Sequence, residues 1–240
     1  ALDDWTPATE TAIVSKYIAT NDHRSYMFVV RSGSTGLLRL YWSEDGVNLI
    51  TVTSSIAPTV SNGDWLWIGV ILDVDDGPIG QGRVIFYTGG SGVSPTWVQL
   101  GDTAGAGSVP TFIFDGLHPV EVGAYANGSA GMLQGKITNV RIYSDLTETT
   151  LEFDTDFTDL TVPEIMAAEF TEDSPNAAGV MLNGTEWLYS GLTVLEYGDT
   201  LLAYLQARGA TSVELVGALN ELNGTTGVEY DLAYRTYFNI

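Results

Sequence analysis

The stretch from Asp64 to Thr88, DWLWIGVILDVDDGPIGQGRVIFYT, constrains the fold of this chain more than any other. Its first part, Trp65 to Val74, is the longest apolar run, too short to cross a bilayer and too rich in β-branched and aromatic residues to favour a helix. A run apolar at nearly every position reads as a central strand covered on both faces. Asp75, Asp76, Gly77 and Pro78 then supply turn conformations and break ladders, and Arg83 to Thr88 starts a second strand. The expected product is a long hairpin set deep in an antiparallel β sandwich.

The flanking segments carry the same signal. AIVSKYI, YMFVVRS, LLRLYWS and NLITVTS precede the hairpin as a meander, and WVQLG, TFIFD, VEVGAY, LQGKITNVRIYSD (Leu133 to Asp145) and TLEFDTDFT follow it. Turn chemistry separates them: Asn21 and Asp22, Gly33 to Gly36, and Glu44-Asp45-Gly46, where the glycine takes positive φ at no steric cost. The pattern predicts about ten strands and no helix longer than a turn through residue 190. The opening ALDDWTP reads as a strand end running into a turn. Residues 1–7 are therefore expected along a sheet edge that an upstream segment or a neighbouring chain completes.

Composition narrows the partners. A chain of 240 residues, 45% hydrophobic, has room for one large all-β domain or two smaller units. Thirty acidic residues against nine basic ones leave a formal charge of −21, which repels phosphate backbones and anionic headgroups. Nucleic acid and membrane insertion are thus not expected, and no stretch reads as a signal peptide or a transmembrane span. The absence of cysteine excludes disulfides and thiolate metal sites.

WIGVILDVDDG, GRVIFYTGG and TWVQLG, followed by PVEVGAY and GKITNVRIYSD, together resemble the laminin G-like or concanavalin A-like jelly-roll domain, in the version found in structural proteins of tailed bacteriophages. FDTDFTDL and MLNGTEWLY are similar to the segment that closes such domains. The resemblance covers residues 1–190 and is strongest at 64–145. It rests on the order and spacing of motifs that are individually weak. It implies a mainly β, antiparallel jelly-roll sandwich in a virion, with an extracellular protein as the alternative. Function in such domains ranges over lectins, glycosidases and structural modules, so the site must be argued from residues.

Retaining glucanases of this fold need two carboxylates on one strand face, about 5 Å apart. No Glu-x-Asp-x-x-Glu occurs, and Glu152, Asp154 and Asp156, the nearest alternation, read as a solvated face of an acidic protein. The two histidines, His23 and His118, lie in predicted turns with no nucleophile elbow beside them. The expectation is a non-enzyme without a cofactor. Calcium is the one ion the resemblance brings in, since related domains hold one at the sandwich rim; Asp73, Asp75 and Asp76 are the candidate ligands, although the turn explains them without an ion.

Sugar binding requires exposed aromatic rings flanked by amides and carboxylates. Of the six tryptophans, Trp42 and Trp97 adjoin polar turns. They are the candidate rim residues, with Asp45, Asn48 and Tyr87 as neighbours; Trp5, Trp65, Trp67 and Trp187 are expected in the core.

Residues 191–240 change character. TLLAYLQAR follows Asp199 as an N-cap and stops at Gly209; Thr211-x-x-Glu214 is a capping box before VELVGALNEL, which stops at Asn223-Gly224; Thr226-x-x-Glu229 opens another. The segment resembles short helical C-terminal segments of phage tail and other virion proteins. It is expected to be a helical attachment or oligomerisation module, using Leu201, Leu205, Leu215, Leu219, Tyr230, Tyr234 and Phe238 against copies of the chain or other virion proteins. The function expected from the whole is a non-catalytic tailed-phage virion protein, a minor tail, fibre or capsid-decoration component, whose lectin-like sandwich meets cell-surface glycans. The alternative is a secreted carbohydrate-binding module or glycoside hydrolase.

Overall fold

The computed structural model describes residues 1–75, 82–90, 95–105, 111–157 and 169–181. These residues are mainly β in antiparallel sheets, and a 3-10 turn at Thr20–Asp22 is the one helical element among them. The chain divides into two compact units, Ala1–Ile137 and Thr138–Ile240. That boundary falls inside the region expected to be a single sandwich. The expected boundary at 190/191, and with it the helical module and its apolar residues, lies outside the described residues.

In the first unit, β1 (Thr11–Ile18), β2 (His23–Val30), β3 (Leu38–Trp42) and β4 (Ile50–Thr53) form the expected meander. β5 (Trp67–Asp73) and β6 (Arg83–Gly89) form the expected hairpin, in register from Trp67↔Gly89 to Asp73↔Arg83. Next come the short β7 (Val98–Gln99), β8 (Ala104–Gly105) and β9 (Glu121–Val122). One sheet has the order β4-β3-β2-β1-β9; the other has β5-β6-β7, with β8 also pairing β6. Asn21 and Asp22 take positive φ (59° and 58°) in the β1–β2 turn, and Gly46 does so at 79° after β3, where a Cβ would lie 2.8 Å from Phe114 Cε1.

Side-chain alternation decides what faces the core, because a strand turns successive residues to opposite sides. Phe28 and Val30 of β2, Leu38, Leu40 and Trp42 of β3, Val52 of β4, and Val84 and Phe86 of β6 meet in one buried cluster with Leu2, Trp5 and Leu100. The cluster joins the two sheets, and Phe28 stacks on Phe86 with ring centroids 6.4 Å apart. On the other face of β1 and β2, Ala12, Met27 and Val29 form a second cluster beneath Tyr17, Tyr41 and Tyr125.

That second cluster corrects the placement of the central strand. β2, in the middle of its sheet, is the strand buried on both faces from Met27 to Val30. β5 stands at the end of its sheet's order and is half-buried at every position except Asp73. Its middle neighbour β6 carries the alternation, with Val84 and Phe86 fully buried.

Two expected strands also differ. TFIFD forms no strand, and its amides go to residues that follow strands of two different sheets: Thr111 donates to Val74 O, just after β5, at 2.8 Å and Phe114 to Ser43 O, just after β3, at 2.7 Å. Leu133–Asp145 is not continuous either. Around Gly135 (φ 140°) it pairs with the chain start: Ala1 and Lys136 exchange backbone hydrogen bonds of 2.9 and 2.7 Å, and Asp3 donates to Gln134 O at 3.0 Å. Residues 1–3 thus pair with residues 134–136 of the same chain.

In the second unit, β10 (Asn139–Tyr143) pairs with β11 (Leu151–Asp156), and β12 (Glu169–Thr171) pairs with β13 (Gly179–Met181). Glu172, 3% exposed, ties the two hairpins together. Its carboxylate accepts from the N–H groups of Asp154 (2.9 Å), Ser174 (2.7 Å) and Ala178 (2.8 Å) and from Ser174 Oγ (2.8 Å).

Candidate functional site

Residues paired directly across an antiparallel ladder share a face. Since Val70 pairs with Phe86 on the core side, Trp67, Gly69 and Ile71 of β5 and Ile85 and Tyr87 of β6 lie on the side turned away from the core. Trp97, just before β7, covers this face. Its ring centroid lies 6.4 Å from that of Trp67 (82° between planes) and 6.4 Å from that of Tyr87 (62°). Gly69 is its seat, since a Cβ there would stand 3.2 Å from Trp97 Cη2. Gln99 of β7 pairs with Tyr87 and so lies on the same face, its amide donating to Gly101 O and Thr103 Oγ1.

Of the five expected sugar-binding residues, the structure brings two together. Tyr87 and Trp97 join Trp67, which the sequence had assigned to the core; the alternation Trp67-x-Gly69 on one strand face is the signal that could have found it. Trp42 is corrected: it is fully buried and bonds Thr111, so it offers no ring face to a ligand. It precedes a polar turn, but strand parity with Leu38 and Leu40 directs it inward. Asp45 and Asn48 are exposed on the other sheet's turn, where Asp45 accepts from the N–H groups of Asn48 (2.7 Å) and Val47 (2.8 Å) and from Asn48 Nδ2. These bonds, those from Asn48 foremost, hold its carboxyl well below the usual carboxylate range. Asp45 is thereby the cap of its own turn.

Asp73 is 6% exposed and faces its cross-strand partner Arg83 at 3.2 Å, and its Oδ1 accepts from the Asp75 N–H at 3.4 Å. Asp75 is exposed, and Asp76 lies outside the described residues. Among the described residues, no three His, Cys, Asp or Glu side chains are grouped to hold a metal ion.

The acids of β11 have structural partners. Glu152 accepts from Ser144 Oγ at 2.7 Å and Asn176 Nδ2 at 2.8 Å, which hold its carboxyl below the ordinary value, and Asp154 accepts from Arg141 Nε at 3.1 Å. His23 opens β2, and His118 is buried with Nε2 2.6 Å from Glu121 Oε1. No helix among the described residues is long and apolar enough to cross a membrane.

No protein-family model, curated protein or solved structure matches the chain.

Proposed function

We propose that this chain is a non-catalytic virion protein of a tailed phage whose β sandwich, of jelly-roll type, presents a glycan-binding face. One observation carries the binding part: Trp67, Tyr87 and Trp97 converge, half-buried, on the side of the second sheet turned away from the core, with the Gln99 amide beside them. Aromatic faces stack on the apolar C–H surface of a pyranose, and an adjoining amide selects hydroxyls. The partners already held by Glu152 and Asp154 favour binding over hydrolysis, because a glycosidase needs its carboxylates turned toward the substrate. The virion location rests on the resemblance of WIGVILDVDDG through GKITNVRIYSD, and attachment through residues 191–240 on their capping pattern.

A glycan array read with and without a calcium chelator tests the binding. The full chain is expected to bind a defined set of saccharides in both conditions, and Trp97→Ala, shown by circular dichroism to be folded at the assay temperature, is expected to lose them. Failure to bind any saccharide, or equal binding by the variant, would overturn the assignment of this face.

A further inference from the structure

One end of the first unit holds apolar side chains out in solvent. Leu117 is 87% exposed, the most of any large apolar residue among those described, and Phe112 is 58% exposed. Both belong to the segment 111–118, which is pinned along its length. The Phe114 N–H donates to Ser43 O, the Gly116 N–H donates to Ser25 Oγ at 3.0 Å, and buried His118 meets Glu121. Leu117 is therefore flanked by two anchored residues, which fix the backbone that presents it. Apolar groups presented rigidly lose little conformational freedom when covered, which favours an interface.

The charges around this segment specify what covers it. Asp22, Asp45 and Asp115 are exposed at the same end. The nearby cations are engaged: Lys16 Nζ bonds Asp115 at 2.7 Å, and Arg24 Nη1 donates to Val47 O at 2.9 Å while lying 3.6 Å from Asp22. Asp73 and Arg83 offset each other. The residual field is negative on a chain of formal charge −21. A second copy would bring the same acids against it, and an anionic headgroup layer would be repelled likewise.

We propose that this end docks a segment of another protein that is both basic and apolar, with lysine or arginine meeting the carboxylates and apolar side chains packing on Phe112 and on Leu117. The test uses the full chain and a short fluorescent peptide of alternating lysine and leucine, read by anisotropy at physiological salt. Two control peptides replace leucine by serine or lysine by glutamate. The Lys–Leu peptide is expected to bind more tightly than either control. The double variant Phe112→Ser/Leu117→Ser is expected to weaken it about tenfold, since the loss is of packing and not of charge. Met132→Ser, 66% exposed and adjacent to Gly131, whose carbonyl accepts from Ala12 at the far end of β1, is expected to leave binding unchanged. No binding, equal binding of the Lys–Ser peptide, or equal weakening by Met132→Ser would reduce the effect to net charge and overturn the proposal.

Discussion

The Trp42 indole N–H donates to Thr111 Oγ1 at 2.9 Å, and that hydroxyl donates in turn to Glu44 Oε1 at 2.6 Å. Trp42 is fully buried and Thr111 6% exposed, so neither group has water as a substitute partner. Thr111→Val keeps the shape and removes the acceptor, leaving a buried donor unmade at a cost of about 1–3 kcal/mol. Thr111→Ser keeps the hydroxyl and is expected to cost less. Urea unfolding of the two variants checks this; a Thr111→Val protein no less stable than Thr111→Ser would mean that the Trp42 bond to this hydroxyl contributes nothing.

The stacked pair Phe28–Phe86 joins the two sheets of the first unit at its centre. Phe86→Ala is expected to destabilise by about 3–5 kcal/mol, the usual loss for a large core aromatic. Ile85→Ala, one residue away and on the side turned from the core, is expected to cost distinctly less. Denaturant midpoints compare them. Similar shifts would contradict a core confined to one face of β6.

Much of this fold was legible because alternation and turn chemistry are local. LRLYW between glycine- and aspartate-bearing turns marks β3, and its period of two already places Leu38, Leu40 and Trp42 together; closeness to a polar turn was the weaker signal for Trp42, and parity prevailed. β5 was misplaced for a related reason. A strand apolar on both faces looks the same whether its outer face meets a second layer or an aromatic cluster such as Trp97 over Gly69. Periodicity also cannot show that Thr111 and Phe114 bond the ends of β5 and β3, or that Gly135 meets Leu2, since these contacts depend on partners distant in sequence. The candidate site suffered most, because its rings come from three separate strands or loops.

Glu172 supplies a pH dependence. Burial pushes its carboxyl up, but the donors from Asp154, Ala178 and Ser174 outweigh burial and hold it below its ordinary value of 4.5. The unfolded chain therefore takes up the proton first as pH falls. The stabilisation is present above the unfolded value and is lost as pH drops through the folded one. Glu172→Gln, uncharged and with one acceptor oxygen, is expected to melt below the parent protein at neutral pH, and the gap is expected to narrow under acid conditions. A gap that stays constant from neutral to acid pH would mean that the charge on Glu172 contributes nothing.

Gly69 tests the seat of Trp97. Its backbone is not in the left-handed region, so alanine there meets no conformational penalty and acts through space alone. The added Cβ would stand 3.2 and 3.3 Å from Trp97 Cη2 and Cζ3, tight enough that the indole must shift or the strand must give. Overpacking of this kind costs about 1–3 kcal/mol. Gly69→Ala is thus expected to lower the melting temperature and to change tryptophan fluorescence, because the ring moves relative to Trp67 and Tyr87. Gly63→Ala is the control: its φ of +83° brings backbone strain, but no atom lies within 4 Å of the new methyl. It is expected to lower stability with the fluorescence spectrum of the native state unchanged. If Gly69→Ala also leaves that spectrum unchanged, Trp97 does not rest on Gly69 in solution. If it shifts the spectrum and weakens saccharide binding together, the same ring serves both the packing of β5 and the ligand.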